Sequence, residues 1–349
     1  MNLRYEKFSE IDLSDPFFDS LKSDYAEFEH WFSRKANEWA YVFYSDAGAI
    51  DGFLYLKIEI GEVDDVSPPL APATRVKVGT LKINPHGTRL GERFLKKIFD
   101  HAITQKVSEI YVTAFEKHDA LVALFQRYGF AQKAIKATAN GQELVLVKDM
   151  HEVSTDVLKN YPLVQAGGRS VYLLSLQPQW HTRLLPDSIV NTEDASIVQD
   201  VSHTNSIHKV YLAAMRGMEN LRPGDVILIY RTTDHAGPAH YRSVATSVCV
   251  LEEYRDIHSF RSRDDFMAYC SSYSVFTEEE LGRFWAAKRY QHILRFTYNL
   301  ALPKRVTRGQ MIEKFGFDAN AYWGFMPLSH EQLASVLAAG ELDESLVIN

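Results

Sequence analysis

The sequence has few cysteines, no long apolar run and no excess of positive charge. Its 349 residues include two cysteines, Cys249 and Cys270, which excludes a disulfide framework and a cysteine-rich metal site. No apolar run approaches the roughly 18–20 residues of a membrane span, and the first ten residues lack the apolar core of a signal peptide. We therefore expect a cytoplasmic protein that does not cross a membrane.

The charge balance and the missing motifs exclude further classes. Lys and Arg number 38 against 45 Asp and Glu, a formal net charge of −7, which excludes a uniformly basic nucleic-acid binder but not a local basic groove. The sequence contains no HExxH motif, no Gly-x-Ser-x-Gly elbow and no Walker A sequence. We therefore predict no metal site and no hydrolase of those types.

The composition is typical of a globular protein, and the chain is long enough for two domains. Apolar residues make up 46% of the chain, and 349 residues suffice for two separate cores. The stretch HEVSTDVLKNYPLVQAGGRS carries Pro162 and the Gly167-Gly168 pair, a composition typical of a linker. We predict a first domain at 1–150, a linker at 151–168 and a second domain at 169–349.

The first half alternates strands with amphipathic helices, which predicts the α/β (α+β) class. A helix is expected to begin at Asp15-Pro16, because apolar residues then recur at three- and four-residue spacing. Strands are predicted at 40–44, 52–60, 75–83, 109–114 and 143–148, with a proline-rich loop at 64–74. The helical stripe consists of Phe17, Leu21, Tyr25, Phe28, Trp31 and Phe32.

The segment VGTLKINPHGTRLGERFLKKIFDHA predicts an anion-binding turn. A strand ends at Ile83, a turn carries Pro85 and Gly87, and an amphipathic helix begins near Gly91. Such a turn places free backbone N–H groups beside the positive end of a helix. The alternative is that the two glycines serve only the turn and the packing of the helix.

These elements resemble the GCN5-related N-acetyltransferase (GNAT) family over residues 1–150. In that family an Arg/Gln-x-x-Gly-x-Gly/Ala turn binds the diphosphate of acetyl-CoA, and an Asn-x-x-Ala-x-x-x-Tyr-x-x-x-Gly-Phe helix lies beside the thioester. His118 stands at the Asn of the second motif, and Gly129-Phe130 matches its end. Arg89 replaces the middle glycine of the turn, and Phe125 stands where many members carry a tyrosine that protonates the departing thiolate. The resemblance implies a mixed sheet with helices on both faces, acetyl-CoA as cofactor, and cofactor contacts at Leu81, Lys82, Ile83, His86, Gly87, Thr88, Arg89, Leu90, Gly91 and Glu92.

Proton transfer would fall to side chains near the acetyl group. Tyr128 and His118 are the catalytic candidates that the resemblance implies, and Tyr111 and Glu59 are further candidates. Each has a structural alternative: Tyr128 as a core residue, His118 as a helix cap, and the other two as ordinary strand residues.

The second half predicts short strands and helices with strong boundary signals. Pro178 follows an apolar strand and is expected to open a helix, and the RPGD turn at 222–225 precedes the apolar strand 226–232. Capping boxes are predicted at Thr277 and Ser329. Cys249 lies within an apolar strand and is expected to be a buried small hydrophobe.

The stretches VYLLSLQPQWHTRLL and LRPGDVILIYRT resemble the ASCH/EVE branch of the PUA-like superfamily, over about residues 165–340. The resemblance implies a small β-barrel with helices that binds RNA. The alternative for these residues is core packing or solvated surface. The segment PDSIVNTED lacks the lysine that amidohydrolase members use, which disfavours hydrolysis. Implied RNA contacts are Trp180, Lys209, Arg216, Arg231 and Arg242.

Together the two resemblances imply an acetyl-CoA-dependent N-acetyltransferase acting on an amine. RNA or tRNA is the implied partner, either as an aminoacyl-tRNA or through an RNA-associated protein, and no protein partner is identified. The acidic net charge favours a small local RNA contact. The alternative is a non-catalytic regulatory protein that binds CoA and RNA through a degenerate acetyltransferase domain.

Overall fold

The computed structural model describes residues 2–84, 90–185, 206–234 and 236–348. The chain forms two compact units, Met1–Glu152 (unit 1) and Val153–Asn349 (unit 2). Both units combine a mixed β-sheet with helices, which confirms the predicted α/β (α+β) class. In these ranges no helix is long and apolar enough to cross a membrane.

Unit 1 is built on a seven-stranded sheet in its described residues. Its strands are β1 (Asn2–Lys7), β2 (Trp39–Tyr44), β3 (Ile50–Val63), β4 (Leu70–Ile83), β5 (Glu109–Phe115), β6 (Ala131–Thr138) and β7 (Gly141–Asp149). Its helices are α1 (Asp19–Asp24), α2 (Phe28–Arg34), α3 (Leu90–Thr104) and α4 (Asp119–Arg127). The strand order is β1-β2-β3-β4-β5-β7-β6, and β4 and β5 are the parallel pair. Short 3-10 turns cover Phe8–Glu10 and Pro16–Phe18.

The core of unit 1 follows the predicted apolar stripes. On α3, the six residues of the apolar stripe are all buried: Leu90, Phe94, Leu95, Ile98, Phe99 and Ala102. Phe94 packs so close to Gly52 that a Cβ at Gly52 would lie 2.4 Å from the Phe94 ring. Burying one such large apolar side chain contributes about 1.5–3 kcal/mol. A separate aromatic cluster joins the first helices to β2 and β3; among its members are Phe8, Phe18, Phe28, Phe32 and Phe53.

Two predicted elements of unit 1 differ from the structure. The single long helix after Asp15 is interrupted, because Tyr25 adopts an extended conformation (φ −133°, ψ 101°) between α1 and α2. The predicted loop at 64–74 is shorter, because β3 and β4 stay paired as far as Val63 and Leu70. Pro72 falls at the register shift after Gly61, where a missing N–H donor is tolerated.

Strands β1 and β6 had no sequence prediction, and they lie at the two ends of the sheet order. End strands are paired on one side only, and proteins place charged residues there to prevent further pairing. Their sequences, NLRYEK and AQKAIKAT, are accordingly polar. The periodic apolar signal of a strand is therefore missing in both.

Unit 2 contains a six-stranded mixed sheet and a two-stranded one in its described residues. The strands are β8 (Val164–Gln165), β9 (Val171–Leu176), β10 (His208–Ala213), β11 (Val226–Arg231), β12 (Val244–Asp256), β13 (His292–Thr307), β14 (Phe325–Leu328) and β15 (Val347–Ile348). The helices are α5 (Val157–Asn160), α6 (Pro178–Leu184), α7 (Ala239–Arg242), α8 (Arg263–Cys270), α9 (Glu278–Ala287), α10 (Arg308–Phe315) and α11 (His330–Ala339). The larger sheet has the order β10-β13-β12-β11-β9-β14, and β8 pairs with β15.

The boundary signals of unit 2 act as predicted. Pro178 opens α6, and both predicted capping boxes are formed. In the RPGD turn, Asp225 accepts hydrogen bonds from the N–H groups of Arg222 (2.7 Å) and Ser170 (3.3 Å), which fixes the start of β11. Cys249 is fully buried in β12, which confirms its prediction. Residues 151–168, predicted as a linker, carry α5 and β8.

Candidate functional site

The central feature of unit 1 is a gap between the parallel strands β4 and β5. Their pairing runs from Arg75 opposite Glu109 to Val78 opposite Val112 and stops there. Beyond that point, β4 continues to Ile83 alongside β3, while β5 continues to Phe115 alongside β7. In the described chain, the main-chain groups of residues 79–83 that face β5 therefore have no strand partner.

Gly79 explains why the strands separate at this position. Val78 lies opposite Leu56 and Thr80 opposite Tyr55, so Gly79 is the extra residue of a bulge in β4. A Cβ at Gly79 would lie 2.6 Å from Cδ1 of the buried Tyr55 ring, so only glycine permits this approach. Because a bulge bends its strand, the bend falls where the pairing with β5 ends.

A cavity of about 270 Å³ occupies the gap. Its two strand walls are residues 78–81 of β4 and 112–114 of β5. The first helices supply an apolar wall formed by Leu21, Phe28 and Trp31. The remaining lining residues are largely polar: Tyr25, Glu27, Lys35, Tyr55, Lys57, Lys77, His118, Leu121 and Glu143.

Tyr25 and Glu143 form a hydrogen-bonded pair in the cavity wall. The Tyr25 hydroxyl donates to Glu143 Oε1 at 2.6 Å, and the Tyr25 ring stacks on Phe115 with 5.2 Å between centroids. Burial and the neighbouring carboxylate raise the pKa of Tyr25 well above its usual value, so the hydroxyl remains a donor. The interruption between α1 and α2 is what brings Tyr25 to this position.

His118 and Asp24 form a second polar pair. His118 precedes α4 and lines the cavity, and its Nε2 lies 3.2 Å from Asp24 Oδ2. The His118 side chain makes no capping hydrogen bond to α4, and Lys117 also binds Asp24. A carboxylate beside an imidazole fixes the orientation of the ring.

Glu59 and Tyr111 belong to a charged network rather than to the cavity wall. Glu59 accepts a hydrogen bond from the Tyr111 hydroxyl and lies 2.8 Å from Lys57 Nζ and 3.5 Å from Lys77 Nζ. Burial raises the pKa of Glu59, but the bonds from Lys57 and Tyr111 outweigh that effect and lower it to about 2. Glu59 is therefore ionised at neutral pH and bound by its neighbours, which disfavours it as a base.

The predicted cofactor contacts fall into three groups. Leu81 lines the cavity, whereas Lys82 points to the helices, where its Nζ donates to Ser20 Oγ at 2.6 Å. Ile83 ends β4. At the start of α3, Leu90 and Glu92 are buried, and Glu92 pairs with Arg127 at 3.5 Å. Gly91 lies between them, and the predicted contacts His86, Gly87, Thr88 and Arg89 lie outside the described residues.

Tyr128 is not brought to the cavity. Its side chain is fully buried at the end of α4, and Phe125 one turn earlier is also fully buried. Phe125 packs edge-on against Phe130 with 4.8 Å between centroids. The apolar end of α4 thus serves the core, whereas His118 at its beginning faces the cavity.

The five predicted RNA contacts of unit 2 have different environments. Lys209 and Arg231 are buried, so they are not available at a surface, contrary to that interpretation. Arg242 pairs with Asp234, with 2.6 Å between Nε and Oδ1. Arg216 is exposed, and Trp180 is half-buried with the Arg183 guanidinium 5.5 Å from its ring.

Sequence reasoning missed Gly79, Tyr25, Asp24 and Glu143. One signal for Glu143 was present: it shares a strand face with Val145 and Val147, both of which are buried. A glutamate on the same strand face as two buried valines is expected to be buried as well. The other three depend on a bulge and a helix break, which local patterns do not specify.

Comparisons with known proteins return distant structural similarities. No family model and no curated protein matches the sequence. Among solved structures, ASCH from Zymomonas mobilis is 10% identical, with a TM-score of 0.30 over 48% of this chain and 94% of its own. Chaetomium thermophilum Naa20 in complex with a bisubstrate analogue is 15% identical (TM-score 0.29; 43% of this chain, 87% of its own). Arabidopsis thaliana NAA60 in complex with acetyl-CoA is 15% identical (TM-score 0.29; 42% of this chain, 99% of its own).

Proposed function

We propose that unit 1 is an acetyl-CoA-dependent N-acetyltransferase of the GNAT type that acts on an amine. The observation that carries this proposal is the gap between β4 and β5, with a cavity inside it. The edge of β4 at 79–83 offers backbone N–H and C=O groups to an extended ligand, and the amide-containing pantetheine arm suits such an edge. When bound, acetyl-CoA supplies an activated acetyl group as a thioester.

The phosphate end of the cofactor belongs at the connection between β4 and α3. Helix α3 is 15 residues long, and the first N–H groups of a helix have no partner within it. Gly91 and Glu92 lie in this first turn, where an anion is favoured by the helix dipole. Together with Leu81 and Ile83, they are the described part of the cofactor site that we propose, and the predicted contacts at 86–89 lie outside the described residues.

His118 is the residue to which we assign proton transfer. It lines the cavity, its ring is held by Asp24, and histidine is the side chain type that exchanges protons near neutral pH. An amine must lose a proton to become a nucleophile, and an oriented imidazole within the cavity can accept it. The burial of Tyr128 argues against that residue in the same role.

A second candidate function is regulatory binding of acetyl-CoA without turnover. The buried Phe125 favours it, because this position carries the thiolate-protonating tyrosine in many members of the family. The two functions share the cofactor site and differ only in chemistry.

For unit 2 we propose recruitment of an RNA-linked acceptor through an ASCH-like fold. The support is the half-buried Trp180 beside the exposed Arg183, a pair that offers both stacking and a cation to a base. RNA retention by the full chain across salt concentrations tests it, with Trp180→Ala as the variant. Equal retention by both proteins at low salt, or none by either, contradicts this part of the proposal.

The acetyltransferase proposal is tested by titrating the full chain with acetyl-CoA in a calorimeter. Thiol release is then measured with mixed pools of small amines, peptides and aminoacyl-tRNA. Binding with amine-dependent thiol release is the expected result. Binding without release from any pool supports the regulatory function, and no binding contradicts both.

A further inference from the structure

We infer that the Tyr25–Glu143 pair forms the acceptor end of the cavity and binds a primary alkylammonium group. This inference rests on the proposed acetyltransferase function and names the chemical class of its acceptor. It assigns a binding role to Glu143, which neither sequence motif identifies.

Glu143 is a buried carboxylate: one of its oxygens accepts a hydrogen bond, and the other has no partner among the described residues. The residue is 4% exposed, and its Oε1 accepts the hydrogen bond from Tyr25. Within the described ranges, Oε2 has no hydrogen-bond or ion-pair partner, and Glu143 lines the cavity. Burying a carboxylate is costly unless a donor or cation satisfies it, so this position favours a ligand that brings positive charge.

The other charged groups of the cavity wall have hydrogen-bond or ion-pair partners within the chain. Both oxygens of Glu27 accept hydrogen bonds from the Asn140 amide, at 2.9 and 3.1 Å. Lys57 and Lys77 lie beside Glu59. Lys35 donates to the Tyr55 hydroxyl and lies 3.6 Å from Glu38. Glu27 is exposed to water, whereas Glu143 is the buried carboxylate of the cavity wall.

The apolar wall of the cavity determines the chemical character of the rest of the ligand. Leu21, Phe28 and Trp31 offer hydrocarbon and aromatic surface to a methylene stem, while an ammonium group next to Tyr25 meets an aromatic ring as well as the carboxylate. A neutral acceptor such as an alcohol would leave Glu143 without a countercharge. The combination selects a primary amine on an alkyl chain.

Binding of n-butylammonium chloride to the full-length protein, measured by calorimetry, tests the inference without requiring turnover. The matched ligand is n-butanol, which has the same stem and no charge. The variants are Glu143→Gln, which keeps an acceptor for Tyr25, and Tyr25→Phe. Glu116→Gln is the control, since it removes a nearby exposed carboxylate that does not line the cavity.

We expect butylammonium to bind the wild type at least tenfold more tightly than butanol, and Glu143→Gln to abolish that preference. Tyr25→Phe is expected to weaken butylammonium binding several-fold, and Glu116→Gln to leave it unchanged. Equal binding of the two ligands, or equal binding by wild type and Glu143→Gln, overturns the inference. A parallel titration with acetyl-CoA separates this inference from the proposed function. If acetyl-CoA binds but butylammonium shows either of the two contrary results, only the acceptor assignment is wrong. If the wild type does not bind acetyl-CoA, the proposed function itself is wrong. Circular dichroism of each variant verifies the fold.

Discussion

Selected polar side chains of the two units have different surroundings. In unit 1, Tyr25, Glu143 and His118 surround a cavity, where part of their bonding capacity faces open space. In unit 2, His181 and Lys209 are completely buried in a packed interior, and His181 Nε2 lies 2.8 Å from Thr246 Oγ1. Polar groups around a cavity can act on a ligand, whereas polar groups inside a packed core act mainly on stability. Substitutions in the first set should change binding and rate, and those in the second should change the free energy of unfolding.

The largest effect is expected at the bend that opens the cavity. Gly79→Val should weaken acetyl-CoA binding more than 100-fold and destabilise the protein by about 1–3 kcal/mol, because the new side chain meets the buried Tyr55 ring. Calorimetry and denaturant unfolding measure the two effects. The control is Gly282→Val, since a Cβ at Gly282 meets only the end of the flexible Arg263 side chain, at 3.4 Å. Normal acetyl-CoA affinity in Gly79→Val would show that the bend does not create the site.

Removing the proposed proton acceptor should reduce the rate and leave cofactor binding intact. We expect His118→Ala to lower kcat about 100-fold, which corresponds to about 3 kcal/mol, and Asp24→Asn to lower it less. Steady-state kinetics with an amine from the active pool give kcat, and calorimetry gives the affinity for acetyl-CoA. His30→Ala, at an exposed histidine of α2, is the control. An unchanged kcat in His118→Ala would remove that residue from the mechanism.

In unit 2, His181 should make stability depend on pH. Burial, with Arg231 and Arg305 nearby, lowers the pKa of His181 from 6.5 to about 3. Between these values the unfolded chain binds a proton that the folded chain does not, so the free energy of unfolding falls as pH falls below 6.5. From pH 7 to pH 5 the expected loss is about 2 kcal/mol.

Denaturant unfolding of the full chain at pH 7 and pH 5 measures this loss. The His181→Gln variant should lose less stability than the wild type over the same interval, whatever its stability at pH 7. The control His151→Gln, at an exposed position of unit 1, should retain the wild-type pH dependence. Identical pH dependence in wild type and His181→Gln would mean that His181 accepts a proton in the folded state.

A smaller effect is expected at the start of α3. Gly91→Glu should weaken acetyl-CoA binding about tenfold, or about 1.4 kcal/mol, because it places a carboxylate in the proposed phosphate site. Gly91→Gln has the same size without the charge and should bind more tightly than Gly91→Glu. The nearest atom to a Cβ here is Leu124 Cδ2 at 2.9 Å, the end of a side chain that can move. Equal affinities for the Glu and Gln variants at low salt would contradict the phosphate site.

The smallest effect is expected at the cysteines, which both lie in unit 2. Burial raises the pKa of the Cys249 thiol well above its usual value and that of Cys270 to about 12. Because the thiolate is the reactive form, Ellman's reagent should detect no thiol in the native protein and two after unfolding. Rapid labelling of the native protein would show that the core of unit 2 opens readily.

The sequence predicted the central elements better than the site between them. Central strands and α3 have strong apolar periodicity because they are buried on one or both faces, so their positions could be predicted. The edge strands β1 and β6 have polar sequences, and neither was predicted. His118 could be selected from its motif position, whereas Tyr25 required knowledge that a helix breaks there. Its hydrogen-bond partner Glu143 is 118 residues away, and no local pattern encodes that contact.

The carboxylate of Glu59 also constrains how β3, β4 and β5 align. Its partners Lys77 and Tyr111 lie directly opposite each other on β4 and β5, and Lys57 is two residues before it on β3. Sliding any of these strands by one residue would turn its member of this group to the other side of the sheet. A sheet with any of these strands shifted by one residue would therefore leave the partly buried Glu59 carboxylate without its partners. Glu59 and its partners thus disfavour incorrect strand registers next to the point where β4 and β5 separate.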